Sequence, residues 1–372
     1  MKKILIIATV QSHIAQFHKK FIKSLQKDGF VVHVAARNNL DEKDTLKLSE
    51  PNKIFDLNFS RSPFSLRNLK VLRELRYIIN NENYDIIHCH TPMGGVLGRM
   101  AAKKARRSGT KVIYTSHGFH FYKGSPIINW MLYYPIEKIL SNKTDAIITI
   151  NQEDYMLAKK KFKKSKVYKV NGVGIDEERF NNFKPFDLRS CFPKVKKPYI
   201  LTTIGELNDN KNQLFLINSM RKITKMNPDI VLVLVGDGPN YIKYKNKIHK
   251  YDLQDNIIML GYRRNIAGIL NETDLLISAS KREGLPMNLI EAIIMNKKII
   301  ASNIRGHKDI VVDPSIGSLF ELENQEHFIE TLMKKYNIAA KNNNRDDYLK
   351  RYIRKFSVSD INKEIKDIYR AI

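Results

Sequence analysis

The segment from Asp274 to Ala292 reads D-L-L-I-S-A-S-K-R-E-G-L-P-M-N-L-I-E-A and concentrates residues suited to chemistry. An apolar strand ends near Ser278, and a loop then carries Glu283, Gly284 and Leu285. Pro286 follows where a first helical turn accepts proline. Glycine lets a ligand approach the backbone, and the helix behind it aims free N–H groups and the positive end of its dipole at the same place. That combination is a seat for a pyrophosphate. Glu283 on the loop and Glu291 about one turn into the helix flank the seat, where carboxylates suit the hydroxyls of a sugar on one side and a ribose on the other. Taken alone, each acid also reads as an ordinary exposed residue. Lys211, just after a strand that opens the second half, can bring a point charge to a phosphate, or can simply be solvated at a helix start.

Histidines supply the second group of candidates. His117 and His120 follow the apolar stretch Lys111–Ser116, beside Gly118. A histidine at the carboxyl end of a strand can donate to a sugar hydroxyl or a departing phosphate, or shuttle a proton. Either could equally be a buried histidine satisfied by a neighbouring carbonyl. His88 and His90 share one face of a strand at i, i+2 and invite a metal. The sequence places no third ligand near them, so no metal is expected.

The elements that must position these residues alternate. Strands are expected at Ile4–Val10, Val31–Ala35, Asp85–His88, Lys111–Ser116 and Asp145–Ile150, with helices at His13–Asp28, Leu66–Asn80, Gly95–Arg107 and Ile127–Leu140. The second half repeats the rhythm. Its strands are Tyr199–Ile204, Ile230–Val235, Asn256–Leu260, Asp274–Ser278 and Lys298–Ala301, and its helices are Asn212–Met226, Asn240–Lys250 and Asn288–Asn296. This is an α/β pattern of βαβ units around parallel sheets covered on both faces. After Gly172 and Gly174, a Pro-, Phe- and Lys-rich stretch at 176–198 reads as a linker between a domain at 1–175 and a domain at 199–372, with the last helix free to pack back on the first domain. Two doubly wound domains would present their functional loops to a shared cleft.

The chain has 372 residues, a net charge of +26, 43% hydrophobic and 27% charged residues, which is an ordinary globular mix. The first 186 residues hold 33 basic and 16 acidic side chains, so much of the excess lies there. Arg99–Lys111 and Lys159–Lys169 are the densest stretches and the candidates for contact with an anionic membrane surface; each could equally be a solvated face. No zinc-finger spacing, aromatic-basic RNA motif or basic heptad array is present, and nucleic acid is not expected as a partner. Two cysteines fit a reducing compartment. The start, Met1-Lys2-Lys3 followed by Ile4 to Val10, imitates a signal peptide but runs into Gln11-Ser12-His13 without a small-residue cleavage site. No apolar run approaches the ~20 residues that cross a bilayer. The expected location is cytoplasmic, peripheral on the inner face of the cell membrane. Gly236-Asp237-Gly238 lacks the last glycine of a dinucleotide fingerprint, and there is no Gly-x4-Gly-Lys-Ser/Thr run. A nicotinamide dehydrogenase and a P-loop kinase are set aside.

The Glu-x7-Glu wording E-G-L-P-M-N-L-I-E at 283–291 resembles glycosyltransferase family four, retaining enzymes of GT-B fold. The likeness extends to H-C-H-T-P at 88–92, Y-T-S-H-G-F-H-F at 114–121, N-G-V at 171–173, G-E-L-N-D-N-K-N at 205–212 and V-G-D-G-P at 235–239. Bacterial exopolysaccharide and capsule transferases of this family are the most similar in wording. The resemblance implies two Rossmann-like domains. It also implies a hexose or N-acetylhexosamine donor carried on a nucleotide, with UDP expected, and a lipid-linked or growing glycan as acceptor. It implies that Glu291 holds the ribose, Glu283 contacts donor-sugar hydroxyls, Lys211 meets the diphosphate, Gly284 and Leu285 line the donor, and His117 sits by the reacting centre. No metal is implied. Where the family has an arginine before the lysine, this chain has Glu206, which cannot neutralise a phosphate. A GT-B sugar-nucleotide 2-epimerase and an inactive transferase-like subunit are the alternatives.

Overall fold

Runs of Ile, Leu and Val without polar alternation fold as strands covered on both faces, as parallel sheets require. The first, β1 (Lys3–Val10), is buried from Ile4 onward. With β2 (Val31–Arg37), β3 (Lys53–Asp56), β4 (Ile86–His90), β5 (Lys111–Ser116), β6 (Ala146–Thr149) and β7 (Lys166–Lys169) it makes a seven-stranded sheet in the order β3-β2-β1-β4-β5-β6-β7. Every pairing is parallel. The structure, a computed structural model, describes residues 1–42, 46–338 and 346–372. The intervening helices are α1 (Gln11–Phe17), α2 (Lys19–Lys27), α3 (Arg67–Glu82), α4 (Pro92–Ala101), α5 (Lys103–Arg107), α6 (Ile127–Ser141) and α7 (Gln152–Lys161). Strand order reverses between β1 and β4. Loops leaving the carboxyl ends of those two strands diverge, and open α/β sheets bind ligands in the crevice this leaves.

A second unit repeats the plan with six strands. These are β8 (Tyr199–Ile204), β9 (Ile230–Val235), β10 (Ile257–Gly261), β11 (Leu275–Ser278), β12 (Lys298–Ser302) and β13 (Gly317–Phe320), in the order β10-β9-β8-β11-β12-β13. All pairings are again parallel. Its helices are α8 (Gln213–Met226), α9 (Tyr241–Lys250), α10 (Ile266–Glu272), α11 (Met287–Ile294), α12 (His307–Ile310), α13 (Gln325–Ile338) and α14 (Asp346–Arg354). Here the order reverses between β8 and β11. Strand β9, I-V-L-V-L-V, is buried throughout; each such side chain contributes roughly 1.5–3 kcal/mol by leaving water.

The first unit is Met1–Gly174 together with Val358–Ile372, and the second is Ile175–Ser357. The final helix α15 (Val358–Ala371) buries Ile361, Ile365, Ile368 and Tyr369 in the first unit, and Lys366 pairs with Asp28 at 2.9 Å. Residues 176–198, set apart by composition as a linker, belong with the second unit. Leu188 and Phe192 are buried against Ile200 and Val233 there.

The ten expected strands lie within two residues of their sequence bounds. The edge strands β3, β7 and β13 were not among them. The first two have only a half-buried pair at their middle, so no apolar run announces them. The helix expected over His13–Asp28 breaks at His18, and the one expected over Gly95–Arg107 starts earlier, at Pro92, and breaks at Ala102.

Candidate active site

In the second unit, the loops after β8 and β11 leave from the point where strand order reverses. They are laced together by the Lys281 N–H donating to the Asn210 carbonyl at 2.8 Å and Asn210 Nδ2 donating to the Arg282 carbonyl at 3.0 Å. This brings Lys211 Nζ to 2.6 Å from Glu283 Oε1, with both side chains largely sheltered. The first loop is held from behind by the G-D-G stretch. Gly236 has φ 142, and a Cβ there would stand 2.0 Å from the Gly205 carbonyl oxygen. The Leu207 N–H donates to the Asp237 carbonyl at 2.9 Å. The glycines that fail as a dinucleotide fingerprint therefore serve to carry Glu206–Lys211. Beside Lys211, Asn212 has φ 57, and its Nδ2 is buried without a hydrogen-bond partner.

Gly284 and Leu285 lead into α11, where Asn288 Nδ2 anchors the first turn by donating to the Ile204 carbonyl at 2.8 Å. Glu291 is half-buried one turn further. Burial pushes its carboxyl up to about 7, with Arg179 opposing the shift. Glu206, by contrast, is exposed, and its carboxylate accepts from Asn208 Nδ2 at 2.9 Å. Among the described residues no cation pairs with it.

Behind the Glu283 loop lies a buried network that the sequence reading missed. His307 Nδ1 donates to the Ser302 carbonyl at 2.8 Å, and its Nε2 lies 3.1 Å from Ser278 Oγ. Ser302 Oγ donates to the Ser280 carbonyl at 2.6 Å. Burial lowers the His307 pKa to about 4, against the opposing pull of Glu283, so the imidazole is neutral near pH 7. A Cβ on Gly306, whose φ is 78, would come within 2.7 Å of the Gly284 carbonyl. The buried Arg305 is next to that contact. The only sequence signal for this network was a Gly-His pair just past β12.

In the first unit the carboxyl ends of β1, β4 and β5 gather histidines. His117, just past β5, has its Nε2 3.4 Å from His90 Nδ1. His13 and His18, from α1 and the break before α2, approach with their Nε2 atoms 3.4 Å apart. The rings of His18 and His90 are 4.3 Å apart. His88 turns to other partners, Tyr369 Oη at 2.6 Å and Thr115 Oγ1 at 2.7 Å. The expectation that the 88/90 pair has no third ligand nearby is corrected: three histidines from other segments stand beside His90. Burial lowers the pKa of His117 to about 4 and of His88 to about 3, and pushes His13, His18 and His90 well down. All five are unprotonated near neutrality. His120 departs from this group; its ring stacks on Tyr133 at 4.7 Å.

One basic stretch changes character. Arg99 is fully buried and makes a two-armed pair with Glu137 at 2.8 and 2.9 Å, its guanidinium over the Tyr114 ring at 3.9 Å. Arg106 is engaged by Asp145. Arg99 and Arg106 thus hold α4 and α5 in the fold, while Lys103, Lys104, Arg107 and Lys111 of the same stretch are exposed. In Lys159–Lys169, Lys159, Lys160, Lys163 and Lys164 are exposed.

Residues 3–151 match the family described as Glycosyl transferase 4-like, and residues 187–356 match Glycosyl transferases group 1. A putative glycosyltransferase of Bacillus subtilis (strain 168), EpsD, is 38% identical over 377 residues, covering 100% of this chain and 97% of the relative. The UDP-Gal:alpha-D-GlcNAc-diphosphoundecaprenol alpha-1,3-galactosyltransferase of Escherichia coli is 30% identical, over 82% of this chain and 80% of the relative. Among solved structures, Anabaena Alr3699/HepE in complex with UDP superposes with a TM-score of 0.75 at 19% identity, with full coverage of both chains. Sucrose-phosphate synthase from Thermosynechococcus elongatus does so with a TM-score of 0.78 at 16% identity, covering 100% and 99%. These neighbours share the GT-B fold, two parallel-sheet units of the kind described above. The match of each unit to its own family, with one relative this similar over nearly its whole length and a second over four-fifths of it, places the chain in the group 1, family-four-like glycosyltransferases, and it is a glycosyltransferase.

Proposed function

We propose that this chain transfers a hexose or N-acetylhexosamine from a UDP-sugar to a lipid-linked glycan acceptor in exopolysaccharide assembly, with retention at the anomeric carbon. The observation that carries the donor side is the Lys211–Glu283 pair, set beside Gly284 at the mouth of the second sheet, with Glu291 one helical turn behind. Glu291 takes the ribose hydroxyls, and Glu283 takes hydroxyls of the sugar. Lys211 and the amino end of α11 take the diphosphate, supplying in place the charge that a catalytic cation would otherwise bring. Leu285 and Gly284 line the donor. Glu206, without a cation of its own, adds nothing to phosphate binding.

No carboxylate is assigned as a covalent nucleophile. The acceptor oxygen attacks the anomeric carbon from the face that UDP leaves. The C–O bond to the β-phosphate breaks, the new glycosidic C–O bond forms, and the acceptor proton passes to the departing phosphate. His117, neutral, donates to a sugar hydroxyl or to that phosphate. The undecaprenol carrier named for the Escherichia coli relative, and the EpsD likeness, support a polyprenyl-linked acceptor and an exopolysaccharide role.

A membrane-held acceptor asks for a surface that meets lipid. No helix among the described residues is long and apolar enough to cross a membrane. Helix α6 instead exposes Ile127, Ile128, Met131, Leu132, Ile136 and Ile139. Its Lys138 donates to the Lys161 carbonyl, which joins that apolar face to the lysines ending α7. Apolar residues beside clustered lysines suit an anionic interface, each lysine contributing roughly 1 kcal/mol near such a surface. The peripheral location is read from this pair of features.

The test is a screen of nucleotide-sugars, with and without polyprenyl-diphosphate-linked sugars. Release of UDP accompanied by a new lipid-linked glycan is expected. A free epimerised nucleotide-sugar as product would replace the transferase reading with the isomerase one. For the membrane, sedimentation with anionic vesicles should be salt-sensitive and should weaken in Met131→Asp; equal binding to neutral vesicles by both proteins would overturn that part.

A further inference from the structure

The first unit gathers four histidines, of which only His117 enters the transfer reading above. One ring nitrogen from each of His13, His18, His90 and His117 lies within 4.8 Å of the others. Within that group the Nε2 atoms of His13 and His18, and the Nδ1 of His90 and Nε2 of His117, are each 3.4 Å apart. A tetrahedral ion with metal–nitrogen bonds of 2.0–2.1 Å sets its ligand atoms about 3.3–3.4 Å apart. Two of the edges of such a tetrahedron are therefore already at length. No remaining gap exceeds that length by more than about 1.4 Å, a distance on the scale of a side-chain torsion. Independently, His90 is 1% exposed and its Nε2 has no hydrogen-bond partner. One ion takes one nitrogen of that ring: binding through Nδ1 keeps the 3.4 Å edge to His117 Nε2, and the unpartnered Nε2 adds no second edge.

We propose that His13, His18, His90 and His117 form a binding site for one divalent transition-metal ion of the zinc class. Four imidazoles without a carboxylate or thiolate among them favour zinc, copper, nickel or cobalt over calcium and magnesium, which want oxygen. His18 is buried and His13 and His117 are partly exposed, so the site is closed on one side and reachable on the other. The ligands come from the start of α1, the α1–α2 break, the end of β4 and the loop after β5. A bound ion therefore ties the helical break to the strand ends at the point where strand order reverses. All four ligands belong to the first unit; with the ion bound, His117 is a ligand and not a donor, and the titration below reads ion binding whichever sugar is transferred.

The experiment uses the full-length untagged chain, stripped with a chelator and desalted. Zinc is titrated in competition with a chromophoric chelator, and cobalt is added in parallel to read the visible band of a four-coordinate ion. One equivalent of zinc with a tetrahedral cobalt spectrum is expected, together with a rise in melting temperature on adding zinc. His13→Gln and His18→Gln should each weaken zinc binding by at least about a hundredfold, since even loss of an outer partner of a ligating histidine costs 10–100-fold. His249→Gln, at an exposed histidine elsewhere, should bind as the unaltered chain does. The substituted histidine in His13→Gln is only half-buried, which keeps a folded variant in hand if His18→Gln does not fold. Absence of stoichiometric zinc in the unaltered chain, or equal zinc affinity in His13→Gln, would overturn the proposal.

Discussion

Glu291 offers a prediction whose size follows from the structure. Its carboxyl sits at about 7 because burial disfavours the charge, so near neutrality about half the protein carries it protonated. Accepting two ribose hydroxyls requires the carboxylate. If only that form binds well, observed affinity follows the ionised fraction. That fraction rises from about one-eleventh at pH 6 to about ten-elevenths at pH 8, a tenfold gain or about 1.4 kcal/mol. The same carboxyl works the other way on stability: with its folded pKa raised above the unfolded value, its contribution is present below pH 4.5 and is lost as pH rises through 7. The perturbation is Glu291→Gln, which keeps the shape and removes the titration. The assay is calorimetric binding of UDP at pH 6, 7 and 8 for both proteins. UDP's own phosphate titration is common to both, so the affinity ratio isolates the side chain. The ratio should grow about tenfold across the range, and in the unaltered protein UDP binding at pH 7 should release close to half a proton more than in the variant. A ratio flat with pH would refute the reasoning, and so would a Gln variant that keeps the pH trend.

Three further outcomes are expected. Glu206→Arg should tighten UDP binding, because the present carboxylate accepts from Asn208 and pairs with no cation among the described residues, and a cation there would face the diphosphate; calorimetry that shows weaker binding would place Glu206 in a site of its own. Arg99→Met should cost about 3–5 kcal/mol in urea melts, since it leaves Glu137 buried without its partner, while Arg99→Met combined with Glu137→Leu should recover much of that. Stability should fall as pH drops from about 6.5 toward 3, because on unfolding His88 and His117 regain ordinary pKa values from about 3 and about 4 and the unfolded chain takes up the protons. Each such histidine steepens the fall by up to about 1.4 kcal/mol per pH unit. Urea melts with chelator present would check it, and identical midpoints at pH 7 and pH 5 would contradict it.

The rhythm of strands and helices was legible because buried parallel strands write themselves as uninterrupted Ile, Val and Leu. The short edge strands were not, because β3 and β7 bury too little to leave a pattern. The grouping of Glu283, Gly284 and Glu291 around the start of α11 was legible because they lie close together in the chain, so connectivity alone fixes their order around a helix terminus. Its partner Lys211 lies 72 residues away and was reached through the likeness to a family as much as through its strand. The histidine cluster was hidden for the opposite reason. Its members stand on four segments that only the pairing of β1 with β4 and of β4 with β5 brings together. Sequence spacing coupled His90 with His88, whose ring nitrogens are already satisfied, and not with the histidines that stand beside it in the fold. A rule that residues just past the carboxyl ends of strands carry function would have pointed to His13 and His18 as it did to His117. Arg99 misled because a buried ion pair and a solvated charge look the same in one dimension.

The most direct measurement follows a UDP-sugar and a polyprenyl-diphosphate-linked sugar through the reaction by NMR, reading the anomeric configuration of donor and product beside the Lys211→Ala and Glu283→Gln proteins. An α-linked product from an α-linked UDP-sugar is expected, with turnover sharply reduced in both variants while both remain folded. An inverted product would contradict retention. Undiminished turnover in both variants would contradict the donor seat itself.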